Sequence, residues 1–128
     1  MTDWAIEGSI AERDGQWKLI GGRCLDCGAL AFPRPKVCAS CWSETIEPAE
    51  LSAVGDLYTY TVIHIGRPGW GPPYAIGYVD LPEGVRICAP IDRNERELRV
   101  GAKVRLAAGE LRRNPQGEAV FSHRFEIV

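Results

Sequence analysis

From Asp56 onward the pattern of apolar and polar positions takes on a β texture, rich in β-branched and aromatic residues, which marks short strands. Five segments carry it: "DLYTYTVIH" (56–64), "YAIGYVDL" (74–81), "VRICAPI" (85–91), "KVRLAAGEL" (103–111) and "AVFSHRFEIV" (119–128). The turns "PEG" (82–84) and "NPQG" (114–117) punctuate them. Between the third and fourth segments, "DRNERELRVGAKV" predicts a short helix, with Asp92 as its N-cap and Glu95 placed for a capping box. Upstream, "SIAERDGQWKLI" (9–20) predicts a β-hairpin, because Asp14-Gly15 suits a two-residue turn with positive φ at both central positions. Gly21-Gly22 is expected to let the backbone turn tightly into the first pair of cysteines. "TIEPAELSAVG" (45–55), punctuated by Pro48 and Gly55, is expected to be a connector.

Five short strands fit a small Greek-key barrel of the oligonucleotide/oligosaccharide-binding (OB) type, with an SH3-like barrel or a small sandwich as alternatives. The expected class is mainly β: an N-terminal hairpin and rubredoxin-like zinc ribbon over residues 1–48, then a C-terminal five-stranded OB barrel over 49–128. No run of apolar residues approaches the roughly 20 that a membrane span needs. The opening "MTDWAIEGSI" has no basic region leading into a long apolar one, so the expected compartment is the cytoplasm.

The ribbon rests on "CLDCGALAFPRPKVCASC", which holds four of the five cysteines. Cys24 and Cys27 form one Cys-x-x-Cys pair, Cys38 and Cys41 another. Each such turn supplies two ligands of a tetrahedron, and two turns facing each other across a short hairpin enclose one zinc ion. The same four thiolates also suit a rubredoxin-like iron. Four thiolates leave no position for water, so the metal is expected to be structural. A redox pair would need a βαβ setting that is absent, and disulfides are disfavoured without an export signal. Cys88 reads as a small buried hydrophobe on its strand.

The formal charge is −2 with every cysteine neutral. Loading four thiolates with one divalent ion lowers it by roughly two more, which weighs against phosphate-backbone binding. Tyr58, Tyr60, Tyr78 and Arg86 are the residues a nucleic-acid platform would use, although alternate strand positions also fill barrels. His64 and His123 read as polar residues on solvent-facing strand positions. Glu95 and Glu97, set among Arg93, Arg96 and Arg99, read as a solvated charged turn. No nucleophile elbow, phosphate loop or zinc-protease helix is present, so no catalytic residue is expected. The segment "GRPGWGPPY" (66–74) combines three glycines, three prolines and two aromatics. It either caps the barrel or forms a contact loop, with Arg67, Trp70 and Tyr74 as the contact residues.

On "GGRCLDCGALAFPRPKVCASC", "ELSAVGDLYTYTVIH", "PPYAIGYVDLPEGVRICAPI" and "ELRVGAKVRL", the sequence resembles the zinc-ribbon/OB-fold proteins of acyl-CoA metabolism, long catalogued as a domain of unknown function. The resemblance runs from about Leu19 to Val128. It implies a non-catalytic accessory subunit, hetero-oligomeric with a thiolase-fold enzyme such as a thiolase, acyltransferase or aldolase. The partner would carry the catalytic groups, and this chain would support it or help hold an acyl-CoA thioester. Only the four cysteines carry over residue by residue. Many relatives open with helices, whereas a hairpin is expected here. A nucleic-acid-binding module and a free-standing acyl-CoA binder are the alternative readings.

Overall fold

A computed structural model describes residues 3–6, 8–64 and 74–128, so Arg67 and Trp70 lie outside the described residues. Ten strands run in chain order. They are β1 (Asp3–Trp4), β2 (Ile10–Arg13), β3 (Gln16–Cys24), β4 (Leu30–Ala31) and β5 (Ile46–Leu51), followed by β6 (Val54–Ile63), β7 (Tyr74–Asp80), β8 (Arg86–Asp92), β9 (Lys103–Arg113) and β10 (Ala119–Ile127). The described residues contain no helix, and so none long and apolar enough to cross a membrane.

The five expected strand segments are β6 to β10, and they close on themselves in the order β6–β7–β8–β10–β9–β6. All neighbours are antiparallel except β8 and β10, which pair in parallel at Ile91↔Phe125 and Asp92↔Glu126. This is the five-stranded OB barrel. Its interior follows from the period: Val79 on β7, Ile87 and Ala89 on β8, Val104 on β9 and Phe125 on β10 are fully or almost fully buried.

The hairpin forms as expected. Arg13 pairs with Gln16, and Asp14 and Gly15 adopt φ of 54° and 75° between them. Along β3, β2 and then β4 occupy one edge and β5 the other. Leu19 of β3 and Leu51 of β5 are buried in the same apolar cluster as the barrel residues, so the two sheets share one core. The chain's start is tied in separately. β1 pairs in parallel with β10, and Trp4 rests between Trp17 and Phe121 at centroid distances of 6.1 and 6.0 Å.

Three expectations are corrected. The segment after Asp92 is irregular rather than helical. Asp92 accepts a hydrogen bond from the Asn94 N–H at 2.9 Å, and Asn94 and Glu95 take φ of 53° and 62°, outside the helical region. An aspartate that can cap a helix can equally close a local turn on its own backbone, and here it does. The expected connector contains β5. Pro48 is tolerated there because β5 is an edge strand, where a missing N–H leaves no ladder partner unsatisfied. Gly21 and Gly22 do not turn the chain. They lie within β3, where a Cβ on Gly21 would collide with the Ala31 carbonyl oxygen and one on Gly22 would lie 2.6 Å from Arg34 Cγ.

Candidate metal centre

Two short turns with the same internal geometry build the site. In the first, the Gly28 N–H donates to the Cys24 carbonyl at 2.9 Å and the Cys24 N–H to the Ala29 carbonyl at 2.9 Å. In the second, the Trp42 N–H donates to the Cys38 carbonyl at 2.9 Å and the Cys38 N–H to the Ser43 carbonyl at 2.8 Å. Each turn requires a left-handed residue just after its second cysteine. Gly28 (φ 79°) fills the place in one and Trp42 (φ 66°) in the other. Ser43 Oγ donates to the Asp26 carboxylate and accepts from the Thr45 N–H at 3.1 Å, which links the two turns.

The result is a cluster of four sulfurs, all within 4.8 Å of one another. Cys24 and Cys41 are 3.5 Å apart, and Cys27 and Cys38 are 3.6 Å apart. A disulfide would need about 2.05 Å, so these are thiols. A tetrahedron with zinc–sulfur bonds of about 2.3 Å has edges of about 3.8 Å, close to the observed spacing. Cys24 and Cys38 are buried, and Cys27 and Cys41 face outward.

Electrostatics favour a cation at the centre. The N–H of Cys27, with that of Asp26 and the neighbouring thiols, holds Cys24 down at about 6 against the cost of desolvation. The Ser43 backbone also draws Cys41 down. Its sulfur neighbours Cys24 and Cys27 nevertheless push it up to about 12, because a last thiolate would join others already charged. A divalent ion relieves that repulsion, and all four thiols can then ionise. Backbone donors also point at the sulfurs, as in the Ser40 N–H at 3.4 Å from Cys38 Sγ.

The other candidates are scattered. Cys88 is exposed, not buried: Ile87 and Ala89 point inward, so Cys88 shares the outer face with Arg86. His64 is exposed, as expected. His123, expected in solvent, is only 4% exposed. The ring of Phe32, from the loop after β4, packs edge-on against its imidazole at 4.9 Å. Its Nε2 lies 3.2 Å from the Cys88 carbonyl and therefore carries the proton, while Nδ1 meets Ser122 Oγ at 3.3 Å. Burial lowers its pKa, which the Cys88 carbonyl only partly offsets. Along β10 His123 shares the parity of Phe125 and Ile127, both buried, so alternation already places it on the inner face, and Phe32 of the ribbon adds to its cover.

Tyr58 and Tyr78 are half exposed, and the Arg86 guanidinium stacks on Tyr58 at 3.6 Å while bonding Asp80 at 2.7 and 3.1 Å. Tyr60 turns inward and donates to the Leu98 carbonyl at 3.2 Å. Tyr74 opens β7 and is half-buried.

Residues 16–47 match the family of the ChsH2 rubredoxin-like zinc ribbon domain, and residues 49–109 that of the ChsH2 C-terminal OB-fold domain. The benzoylsuccinyl-CoA thiolase subunit BbsA of Thauera aromatica is 39% identical over 92% of this chain and 83% of its own length. A DUF35 domain-containing scaffold protein of Methanocaldococcus jannaschii is 31% identical over 86% of this chain and 82% of its own. Among solved structures, a chain of the Ltp2–ChsH2(DUF35) aldolase superposes with a TM-score of 0.63 at 28% identity, covering 82% of this chain and 84% of that one. The four clustered thiols and the closed five-stranded barrel of this chain agree with the zinc ribbon and OB-fold of those two domain families, and the chain belongs to the DUF35 family of ChsH2-type zinc-ribbon/OB-fold proteins.

Proposed function

We propose that this protein is a non-catalytic, cytoplasmic subunit of a thiolase-fold enzyme acting on acyl-CoA thioesters, assembled with it as a hetero-oligomer. The observation that carries this is the 39% identity, over both the ribbon and the barrel, to a subunit of a thiolase acting on a CoA thioester. The likeness to an aldolase-associated ChsH2 chain supports it and adds aldolases to the partner class; acyltransferases stay in that class on the family resemblance alone. The chemistry of the described residues points the same way. The four thiols fill one tetrahedron, and both nitrogens of His123 are engaged in structural contacts.

On this reading Cys24, Cys27, Cys38 and Cys41 hold one structural zinc ion, and residues 1–48 and 49–128 are two units of one body that share the core around Leu19 and Leu51. Arg67, Trp70 and Tyr74 are proposed as contacts to the partner or to CoA. The nucleic-acid reading is weaker, because Arg86 is already paired with Asp80 beside Tyr58.

The test is co-expression with a thiolase-fold subunit encoded beside this chain. A stoichiometric complex with CoA-dependent activity, and no turnover by this chain alone, is expected. A thiolase-fold protein fully active alone that never co-purifies with this chain would refute the proposal. Metal analysis should return one equivalent of zinc, and less than half an equivalent of zinc or iron would remove the metal assignment.

A further inference from the structure

Most charged side chains on the barrel strands themselves are in ion pairs. Arg86 pairs with Asp80, Lys103 with Asp56, Arg105 with Glu126 and Arg113 with Glu110. Arg124 on β10 is different. It forms no ion pair among the described residues, and its Nε is shut off from water with no hydrogen-bond partner. A guanidinium N–H desolvated without an acceptor costs free energy, and in native proteins such a group calls for an explanation.

The side chain also lies close against β9. Gly109 on β9 lies beneath it, where a Cβ would come within 2.6 Å of Arg124 Nη1 and 2.9 Å of its Cδ. Only glycine allows the guanidinium to lie this close to the β9 backbone. Arg124 lines a cavity of about 450 Å³ at the end of the barrel where β6 finishes and β7 begins. Arg93 lines the same cavity, and its Nε bonds only the Arg96 carbonyl, at 3.2 Å. Among the described residues, the one carboxylate on the cavity wall is Asp92, which already accepts the Asn94 N–H. Val62, Ala75 and Ile91 give the cavity an apolar side. Two guanidinium groups thus face a space with a local excess of positive charge, in a chain whose net charge is −2.

We infer that this end of the barrel binds a small oxyanion, a phosphate or a carboxylate, held between Arg124 and Arg93. A guanidinium fork matches the oxygens of either group, and the bond would supply the acceptor that Arg124 Nε lacks. The apolar wall fits a ligand whose charged head continues into carbon.

The experiment is a titration of the full metal-loaded chain, followed by nitrogen-15 NMR, with inorganic phosphate in one arm and acetate in the other. Chloride holds the ionic strength constant. Saturable shifts confined to the amides of Arg93, Gly109 and Arg124, and to the Arg124 Nε–H, are expected. The arm that saturates at the lower concentration names the oxyanion. Arg124→Gln and Arg93→Gln should each weaken binding by about tenfold, the effect of one charged hydrogen bond. Arg93 is exposed, so its variant reads binding even where Arg124→Gln perturbs the barrel. No saturation in either arm, shifts spread over all arginines, or binding unchanged in both variants would overturn the assignment.

Discussion

The ribbon and the barrel are both β-structures, yet different forces hold them. The barrel closes around a continuous apolar interior, with Phe125, Val79, Val104 and Ile87 nearly inaccessible. The ribbon's tip encloses no such interior. Leu25 is 55% exposed and Trp42 is 82% exposed, and the four sulfurs occupy the place of a core. Where the sheet of β2–β5 has buried apolar residues, at Leu19 and Leu51, they belong to the barrel's cluster. A lobe too small to enclose its own core can use a metal at one end and borrow a neighbour's interior at the other.

Removing the metal should separate the two most sharply. Chelation, or Cys24→Ser, is expected to abolish amide protection between residues 24 and 45 while the β6–β10 amides stay protected, as read by hydrogen exchange. Structural zinc contributes on the order of 10 kcal/mol in small metal-folded units, so no other change to the ribbon compares. Loss of protection throughout the chain in one step would mean that the shared core makes the two lobes a single cooperative unit. Next in size, Phe125→Ala should cost about 3–5 kcal/mol in denaturant unfolding and leave the bound metal unchanged. Leu19→Ala, at about 2–5 kcal/mol, should by contrast lower the stability of both lobes, because Leu19 sits where they meet.

The junction at His123 carries a pH dependence. Burial lowers its pKa in the folded chain below the unfolded value of about 6.5, so the unfolded chain takes up the proton first. Above about 6.5 both states are neutral and there is no penalty. Below it the fold loses stability, increasingly so until the folded imidazole itself protonates. Wild type should therefore lose more stability between about pH 7 and pH 5 than His123→Gln, and parallel profiles would exclude the junction as the cause. The smallest effects are expected within the ribbon. Gly28→Ala should cost about 1–2 kcal/mol, because it places a Cβ at a left-handed position. Trp42→Gly should change stability by less than about 1 kcal/mol, since relief of the same strain is offset by the greater freedom of glycine in the unfolded chain.

Features that depend on a few neighbouring residues are legible in the sequence. These include the five barrel strands, the Asp14-Gly15 turn and the cysteine pairs that come together in the ribbon. Expectations fail where two local solutions compete or where distant segments meet. Asp92 offers both a helix cap and an Asx-type turn, and the sequence does not rank them. Pro48 argues against a strand until the strand is known to be an edge. For Cys88 a usable signal does exist, because Arg86 and Pro90 flank it at the same two-residue spacing and mark its face as the outer one. His123 has one too, because Phe121 and Phe125 flank it at that spacing and mark its face as the inner one; only the contact with Phe32, far away in the sequence, is not readable locally.

The β8–β10 seam has a consequence for how the barrel opens. β9 and β10 are in register at nine positions, whereas β8 and β10 meet at only two. Beyond these, the Cys88 carbonyl is met by the His123 side chain instead of a backbone N–H. Among the described residues the seam is also the one parallel join between barrel strands. Parting it unrolls the cylinder into a single ribbon of strands, β8–β7–β6–β9–β10, in which these five are joined by antiparallel pairings alone, with β1 still paired along the edge of β10 and no other barrel pairing broken.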